Sequence, residues 1–282
     1  MGEVWTVQRT LDWCCEYLKR HDDANPRLSA EWLMSAATGL SRVEIYAFFD
    51  RPLSENERTK LRESLRRRGT GEPLQYVTGE AAFRHIIVKT APGVLIPRPE
   101  TEVLVQVALE HFGSGEEVRA LEVGAGTGCV ACSLAKEAGW QVVATDVSEA
   151  AVACAQRNAE ALHLDDAVHV QLADCVQGVE GPFDVLVSNP PYIPTAVIDG
   201  LDDEVKAHEP RLALDGGADG LAFFGRLLAE ALPLVREGGF VAFELFEESL
   251  QEAARRMREA GLREVTVTPD LTGRPRIASG VV

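Results

Sequence analysis

No run of about 18 or more apolar residues occurs in this sequence, which excludes a helix built to span a membrane. A basic segment followed by an apolar stretch is also missing at the N-terminus, so no secretory signal peptide is expected. Cysteine is sparse: Cys14, Cys15, Cys129, Cys132, Cys154 and Cys175 do not have the spacing of a disulfide framework, and a chain of 282 residues needs none. Positive charge is scarce too, with 28 Lys and Arg against 44 Asp and Glu and a net charge of -16. That balance works against a surface that grips phosphate backbones, so no direct nucleic-acid binding is expected. The histidines are scattered without an H-E-x-x-H arrangement, and no nucleophile elbow is visible. No second Cys or His pair completes a metal set with Cys129-x-x-Cys132, which reads as buried helix packing. What remains is a cytoplasmic globular chain, 46% hydrophobic and 26% charged, able to bury an ordinary core.

Residues 1–70 read as a small helical domain. Asn25-Pro26 suits an N-cap followed by proline at the first helical position, and Gly39 suits a helix stop. Ser41 with Glu44, and Ser54 with Glu57, have capping-box spacing. Arg66, Arg67 and Arg68 before Gly69 suit a helix end, where cations complement the dipole from a solvated face. Residues 71–99 read as a linker with a β-hairpin, its β-like runs being Ile86–Val88 and Gly93–Ile96. Pro97 and Pro99 stiffen the chain around Arg98, and a helix is expected to start near Thr101.

Residues 100–282 alternate between strand and helix patterns. Strands are expected at 118–123, 141–145, 167–172, 183–188, 240–246 and 265–268, and helices at 129–137, 149–162, 221–235 and 248–260. That order predicts an α/β domain, a mostly parallel sheet with helices on both faces and ligands bound beyond the strands' carboxyl ends.

Two motifs fall at such ends. Gly124-Ala125-Gly126-Thr127-Gly128 leaves a strand and opens a helix, so its backbone can turn tightly and offer N–H groups to an anion. The anion fits either a methionyl carboxylate or a dinucleotide pyrophosphate. Asp146 closes the next strand, where a carboxylate can accept from ribose hydroxyls; the plain alternative is a tight turn with Asp146 as a helix cap. The G-x-G-x-x-G dinucleotide spacing is not met, because position 129 is Cys.

The second motif is Asn189-Pro190-Pro191-Tyr192, directly after the strand pattern 183–188. Two prolines make the turn stiff. The Asn189 side-chain oxygen and the Pro190 carbonyl can then accept from one planar NH2 group, with Tyr192 offering a face for stacking. An amide nitrogen is a poor nucleophile because its lone pair is delocalised. Two acceptors on its hydrogens orient that lone pair toward a sulfonium methyl, so positioning and fixed dipoles replace a strong base. The residues themselves reach only "a planar nitrogen".

With Asp146 and this tetrapeptide, the sequence resembles the class I, Rossmann-like methyltransferases that act on amide and exocyclic amino nitrogens. Three further stretches, 71–79 (GEPLQYVTG), 96–102 (IPRPETE) and 209–217 (EPRLALDGG), resemble the peptide chain release factor glutamine methyltransferases. The resemblance implies a seven-stranded sheet, a helical N-terminal domain that recognises substrate, and S-adenosyl-L-methionine as cofactor with S-adenosyl-L-homocysteine as product. It implies that Gly124, Ala125, Gly126, Thr127, Gly128, Asp146, Asp174, Cys175 and Asn189 hold the cofactor. It further implies that Asn189, Pro190, Pro191 and Tyr192 hold a glutamine amide from the Gly-Gly-Gln motif of class 1 release factors. Two departures stand out: Cys175 replaces a bulky aromatic, and Phe246 and Ser249 replace a Gly and a Gln after Glu244.

Three rivals remain at this level. A nucleic-acid amine methyltransferase could hold a flipped base in the same tetrapeptide, although the acidity opposes it. A nicotinamide-dependent oxidoreductase fails on glycine spacing. A non-catalytic binding module leaves the loop, the acid and the tetrapeptide without a purpose.

Overall fold

A computed structural model describes residues 4–112 and 116–282, which fall into two compact units. The first comprises residues 1–80 together with Asp203–His208. Its helices are α1 (Val7–Lys19), α2 (Pro26–Thr38), α3 (Arg42–Ala47), α4 (Glu55–Gly69) and α5 (Leu74–Thr78). Val7, Leu11, Cys14 and Leu18 recur on one stripe of α1 and pack against Ala30, Leu33, Met34 and Ala37 of α2 and Leu61 and Leu65 of α4. Both capping boxes form, and Gly39 ends α2 in the left-handed conformation. Asn25 takes the N-cap position, but its side chain makes no capping bond.

The basic triplet departs from the expected solvated face. Arg67 pairs with Glu72, while Arg68, only 10% exposed, pairs with Asp23 at 2.6 Å and with Glu204 at 2.9 Å. A cation so enclosed needs its carboxylates, since a buried charge without a partner is costly.

The second unit opens with the hairpin β1 (Glu80–Phe83) and β2 (Ile86–Lys89), followed by α6 (Thr101–His111). The expected β-like run at Gly93–Ile96 forms no strand, whereas α5 lies where only linker was expected. Alternation then sets in with β3 (Arg119–Val123), α7 (Cys129–Ala138), β4 (Gln141–Asp146), α8 (Glu149–Ala161), β5 (Val168–Leu172) and β6 (Phe183–Ser188). After the short helix α9 (Thr195–Ile198), and α10 (Asp203–His208), which belongs to the first unit, α11 (Ala222–Arg226) leads into β7 (Val235–Glu244), α12 (Leu250–Glu259), β8 (Arg263–Pro269) and β9 (Pro275–Val281). The helix expected through 221–235 changes winding after α11, to a π turn at Leu227–Ala231 and a 3-10 turn at Leu232–Leu234. Pro233 there has no N–H to continue an α ladder.

The seven strands run in the order β5-β4-β3-β6-β7-β9-β8, parallel from β5 to β7 and antiparallel where β9 joins β7 and β8. Each inner strand is covered twice. Ala120, Val142, Val185 and Ala242 pack into one core with α6, α7 and α8; Leu121, Leu186, Val241 and Phe243 pack into another with α11 and α12. Period-two geometry with both faces buried explains why these strands read as continuous apolar runs. Between β3 and β6 the winding reverses, so their carboxyl ends open a crevice at the switch point. Among the described residues, no helix is long and apolar enough to cross a membrane.

Candidate active site

A cleft of about 810 Å³, open solvent included, lies at that switch point. Gly124 and Gly126 from the loop after β3, Asp146 at the end of β4, Cys175, and Asn189 and Pro191 after β6 all line it. An adjoining hollow is lined by Ala125 and Thr127, with Arg98, Thr101, Glu122 and Asn189. Five of the expected cofactor residues (Gly124, Gly126, Asp146, Cys175 and Asn189) therefore share one cleft. Gly128 and Asp174 line neither space. Gly128 abuts Ala155, where a Cβ would come within 2.9 Å of the Ala155 Cβ. The Asp174 carboxylate pairs instead with Arg226 at 2.8 Å.

Four N–H groups of the glycine loop are already engaged within the protein. The N–H groups of Gly124 and Ala125 both bond the Thr145 carbonyl, that of Gly126 bonds Asp146 Oδ2 at 2.9 Å, and that of Gly128 bonds Ala125 O. The loop thus exposes bare backbone at Gly124 and Gly126, both at positive φ, and closeness of approach is what the glycines provide. Asp146 ties two segments together, since Oδ1 also accepts from Ser148 N, the N-cap of α8, at 2.9 Å. Its carboxylate still has lone pairs to spare.

Glu122, one residue before the end of β3, is fully buried and accepts from Ala131 N at 2.9 Å in the first turn of α7. Burial pushes its carboxyl up to about 8, nearby Asp146 adds to the rise, and the Ala131 bond opposes it. Between its ordinary 4.5 and 8, the folded state therefore holds a proton that the unfolded chain has lost. This contribution to stability is full below the ordinary value and is lost as pH rises through the raised one. Glu122→Gln, which keeps an acceptor for Ala131, should accordingly lose less thermal stability than the native chain between about pH 5 and about pH 9. Parallel unfolding midpoints across that range would show that Glu122 is charged in the fold.

Asn189 donates through Nδ2 to Thr101 Oγ1 at 3.0 Å. With the nitrogen so engaged, Oδ1 is the atom left to accept in the cleft. Pro190 is buried and Tyr192 half-buried; neither is among the residues that line the two spaces, and the Tyr192 hydroxyl donates to Glu244 Oε1 at 3.1 Å. The 209–217 stretch braces this turn. Ile193 N bonds Leu214 O, Gly216 N bonds Ile193 O, and a Cβ on Gly216 would strike the Tyr192 backbone at 2.7 Å. Glu209, nearly buried, accepts from Arg98 and from Ile96 N at 3.2 Å, which fastens the Pro97-Arg98-Pro99 segment beside the cleft. These contacts of Thr101, Glu209 and Glu244 were not foreseen; the prolines flanking Arg98 and following Glu209 were the only sign of stiffened, apposed segments.

The donor set suits S-adenosyl-L-methionine. A mostly apolar cleft carries one carboxylate at the end of β4, side-chain-free backbone at Gly124 and Gly126, and an amide oxygen beyond β6.

Residues 9–79 match the family described as PrmC N-terminal domain, and residues 86–201 match the Methyltransferase small domain. A release factor glutamine methyltransferase of Geobacter sulfurreducens is 39% identical over 99% of this chain and 97% of its own length. One from Moorella thermoacetica is 41% identical over 96% of each. Among solved structures, a methyltransferase from Pyrococcus furiosus shares the fold at 27% identity and a TM-score of 0.52, covering 69% of this chain and 87% of its own.

Proposed function

Because the chain belongs to the release factor glutamine methyltransferase family, we propose that it methylates the side-chain amide nitrogen of the glutamine in the Gly-Gly-Gln motif of class 1 release factors. S-adenosyl-L-methionine is the methyl donor in this reading and S-adenosyl-L-homocysteine the product. When bound, the cofactor supplies a sulfonium methyl, an electrophile that needs no further activation.

The observation that carries the reading is the orientation of Asn189. Its nitrogen is held by Thr101, so Oδ1 can accept from one hydrogen of a planar NH2 group while the Pro190 carbonyl accepts from the other. The Asn189 acceptor is fixed before substrate arrives, the condition under which dipoles accelerate a step most. Asp146 holds ribose hydroxyls, and Gly124 and Gly126 let the cofactor lie against the backbone, with Cys175 on the cleft wall. The Asn-Pro-Pro turn positions the glutamine; Tyr192, its hydroxyl engaged by Glu244, anchors the turn instead of stacking. Residues 1–70 serve in this reading as the domain that recognises the substrate protein, 71–99 as the linker and 100–282 as the catalytic domain. A substrate from the translation machinery carries a cytoplasmic location with it.

The test is transfer of labelled methyl from S-adenosyl-L-methionine to a purified class 1 release factor, beside its Gly-Gly-Ala version and bulk RNA and DNA. Label on the native release factor alone is expected. Label on nucleic acid, or equal label on the Gly-Gly-Ala version, would overturn the substrate assignment.

A further inference from the structure

Among the described residues that line the cleft, Phe223 is the only aromatic, and nothing so far has used it. Its neighbour Phe224 is fully buried and packs edge-on against Phe243, ring centres 5.3 Å apart, as part of the core. Phe223 is half-buried and opens on the cleft instead. Arg226, one turn on in α11, sets its guanidinium carbon 5.4 Å from the centre of the Phe223 ring. The same guanidinium donates to Asp174 Oδ1 at 2.8 Å and to the two Glu230 oxygens at 2.8 and 3.2 Å. A planar cation anchored along its edge and laid over an aromatic ring restrains that ring.

The Asp174 carboxylate, which lines neither space, thus ties α11 to the segment that follows β5. That segment is fastened beside Asp146 in its turn. Ala173 N donates to Asp146 O at 2.9 Å, and the Cys175 carbonyl accepts from Thr145 Oγ1 at 2.8 Å. Ala173 and Cys175 both line the cleft with side chains too small to cover a flat ring.

The direction in which the cofactor extends follows from the strand order β5-β4-β3-β6. A ribose at Asp146, after β4, and a methyl group beside Asn189, after β6, leave the base on the side of β5. There stand Ala173, Cys175 and the helix tied down by Asp174. Adenine is a flat, uncharged purine, and a flat apolar side chain is its best cover. The loop after β5 has none to give; α11 has Phe223.

We propose that Phe223, held by the Arg226–Asp174 pair, is the stacking partner of the cofactor's adenine and so selects for that base. This rests on the reading of S-adenosyl-L-methionine as methyl donor. The effect of Phe223 belongs in cofactor affinity, because the ring lies at the base and away from the reacting nitrogen.

The experiment titrates S-adenosyl-L-homocysteine into the full chain and into Phe223→Ala, Phe223→Leu and Phe223→Trp, with Kd by calorimetry and folding by thermal midpoint. Phe223→Ala should bind roughly 10- to 50-fold more weakly, the scale of stacking between a base and an aromatic ring. Phe223→Leu keeps apolar bulk without a flat face and should lose at least about fivefold. Phe223→Trp should bind within about threefold of native and gain an emission quench on adding S-adenosyl-L-homocysteine or adenosine. Methionine should cause no such quench, and neither ligand should produce it in the native chain. Phe223→Ala or Phe223→Leu binding within about twofold of native would overturn the proposal, as would a Phe223→Trp chain without the added quench. A rise in KM for the release factor at unchanged Kd would likewise overturn it, placing Phe223 at the protein substrate. Should Phe223→Ala fail to fold, Phe223→Leu and Phe223→Trp decide the question. A native chain that binds no S-adenosyl-L-homocysteine would sink the cofactor reading; a native chain that binds it no better than its variants would sink only the role of Phe223.

Discussion

Asn189→Ala is expected to lower the transfer rate by roughly 100- to 1000-fold while leaving cofactor affinity within about threefold, the scale on which single preorganised dipoles act on a developing charge. The substitution deletes Oδ1, the acceptor that draws one amide hydrogen and turns the nitrogen lone pair toward the methyl group. It leaves the turn in place, since Pro190 and Pro191 fix their own φ and the Ile193–Leu214 and Gly216–Ile193 bonds hold the segment from beyond. The Thr101 hydroxyl loses its Nδ2 partner. Rapid-quench transfer and calorimetry on the same preparation check the claim. Loss of cofactor affinity in step with the rate would mean that Asn189 builds the cofactor cleft and does not act on the nucleophile.

The parts of this molecule that could be read from sequence are those whose cause is local. The glycines after β3 and the prolines after β6 dictate backbone shape within a few residues, and the apolar runs of β3, β4 and β6 declare doubly covered strands, while β5 at the sheet edge alternates. β9 escaped notice because Pro275, Arg276, Ser279 and Gly280 dilute its pattern. It nonetheless lies inside the sheet between β7 and β8, and at Gly280 a Cβ would crowd Arg263 O at 3.1 Å. β7 was expected to begin at 240, but it starts at Val235 and crosses an irregular pairing around Gly238 and Gly239 before the regular ladder resumes at Phe240. The buttresses of the site were hidden for another reason. Arg98 reaches Glu209 across 111 positions, Asn189 reaches Thr101 across 88, and Tyr192 reaches Glu244 across 52, separations that only the sheet order brings together. Asp174 and Cys175 show the limit of reading neighbours as one: Cys175 adopts a left-handed backbone and lines the cleft, while the carboxylate beside it turns to Arg226.

Asp146→Ala is expected to weaken cofactor binding about 100-fold, while transfer at saturating cofactor stays within a few-fold of native. Hydrogen bonds to a charged acceptor contribute about 1.5–3 kcal/mol each, and about 2.7 kcal/mol in total gives the predicted change. Part of the loss comes from within the protein, because the same carboxylate receives Gly126 N and Ser148 N and so sets the distance between the glycine loop and the start of α8. Asp146→Asn separates the two contributions. Its one oxygen can satisfy either backbone donor, but its NH2 must then face the other, so the loop is disturbed even though the side chain is nearly isosteric. If the bonds to ribose dominate, affinity should fall in the order native, Asn, Ala, with unfolding midpoints close together. If the loop brace dominates, both variants should lose thermal stability together and bind alike. Unchanged affinity in Asp146→Ala by calorimetry would leave Asp146 as a brace between loop and helix, and the ribose would have to be held elsewhere in the cleft.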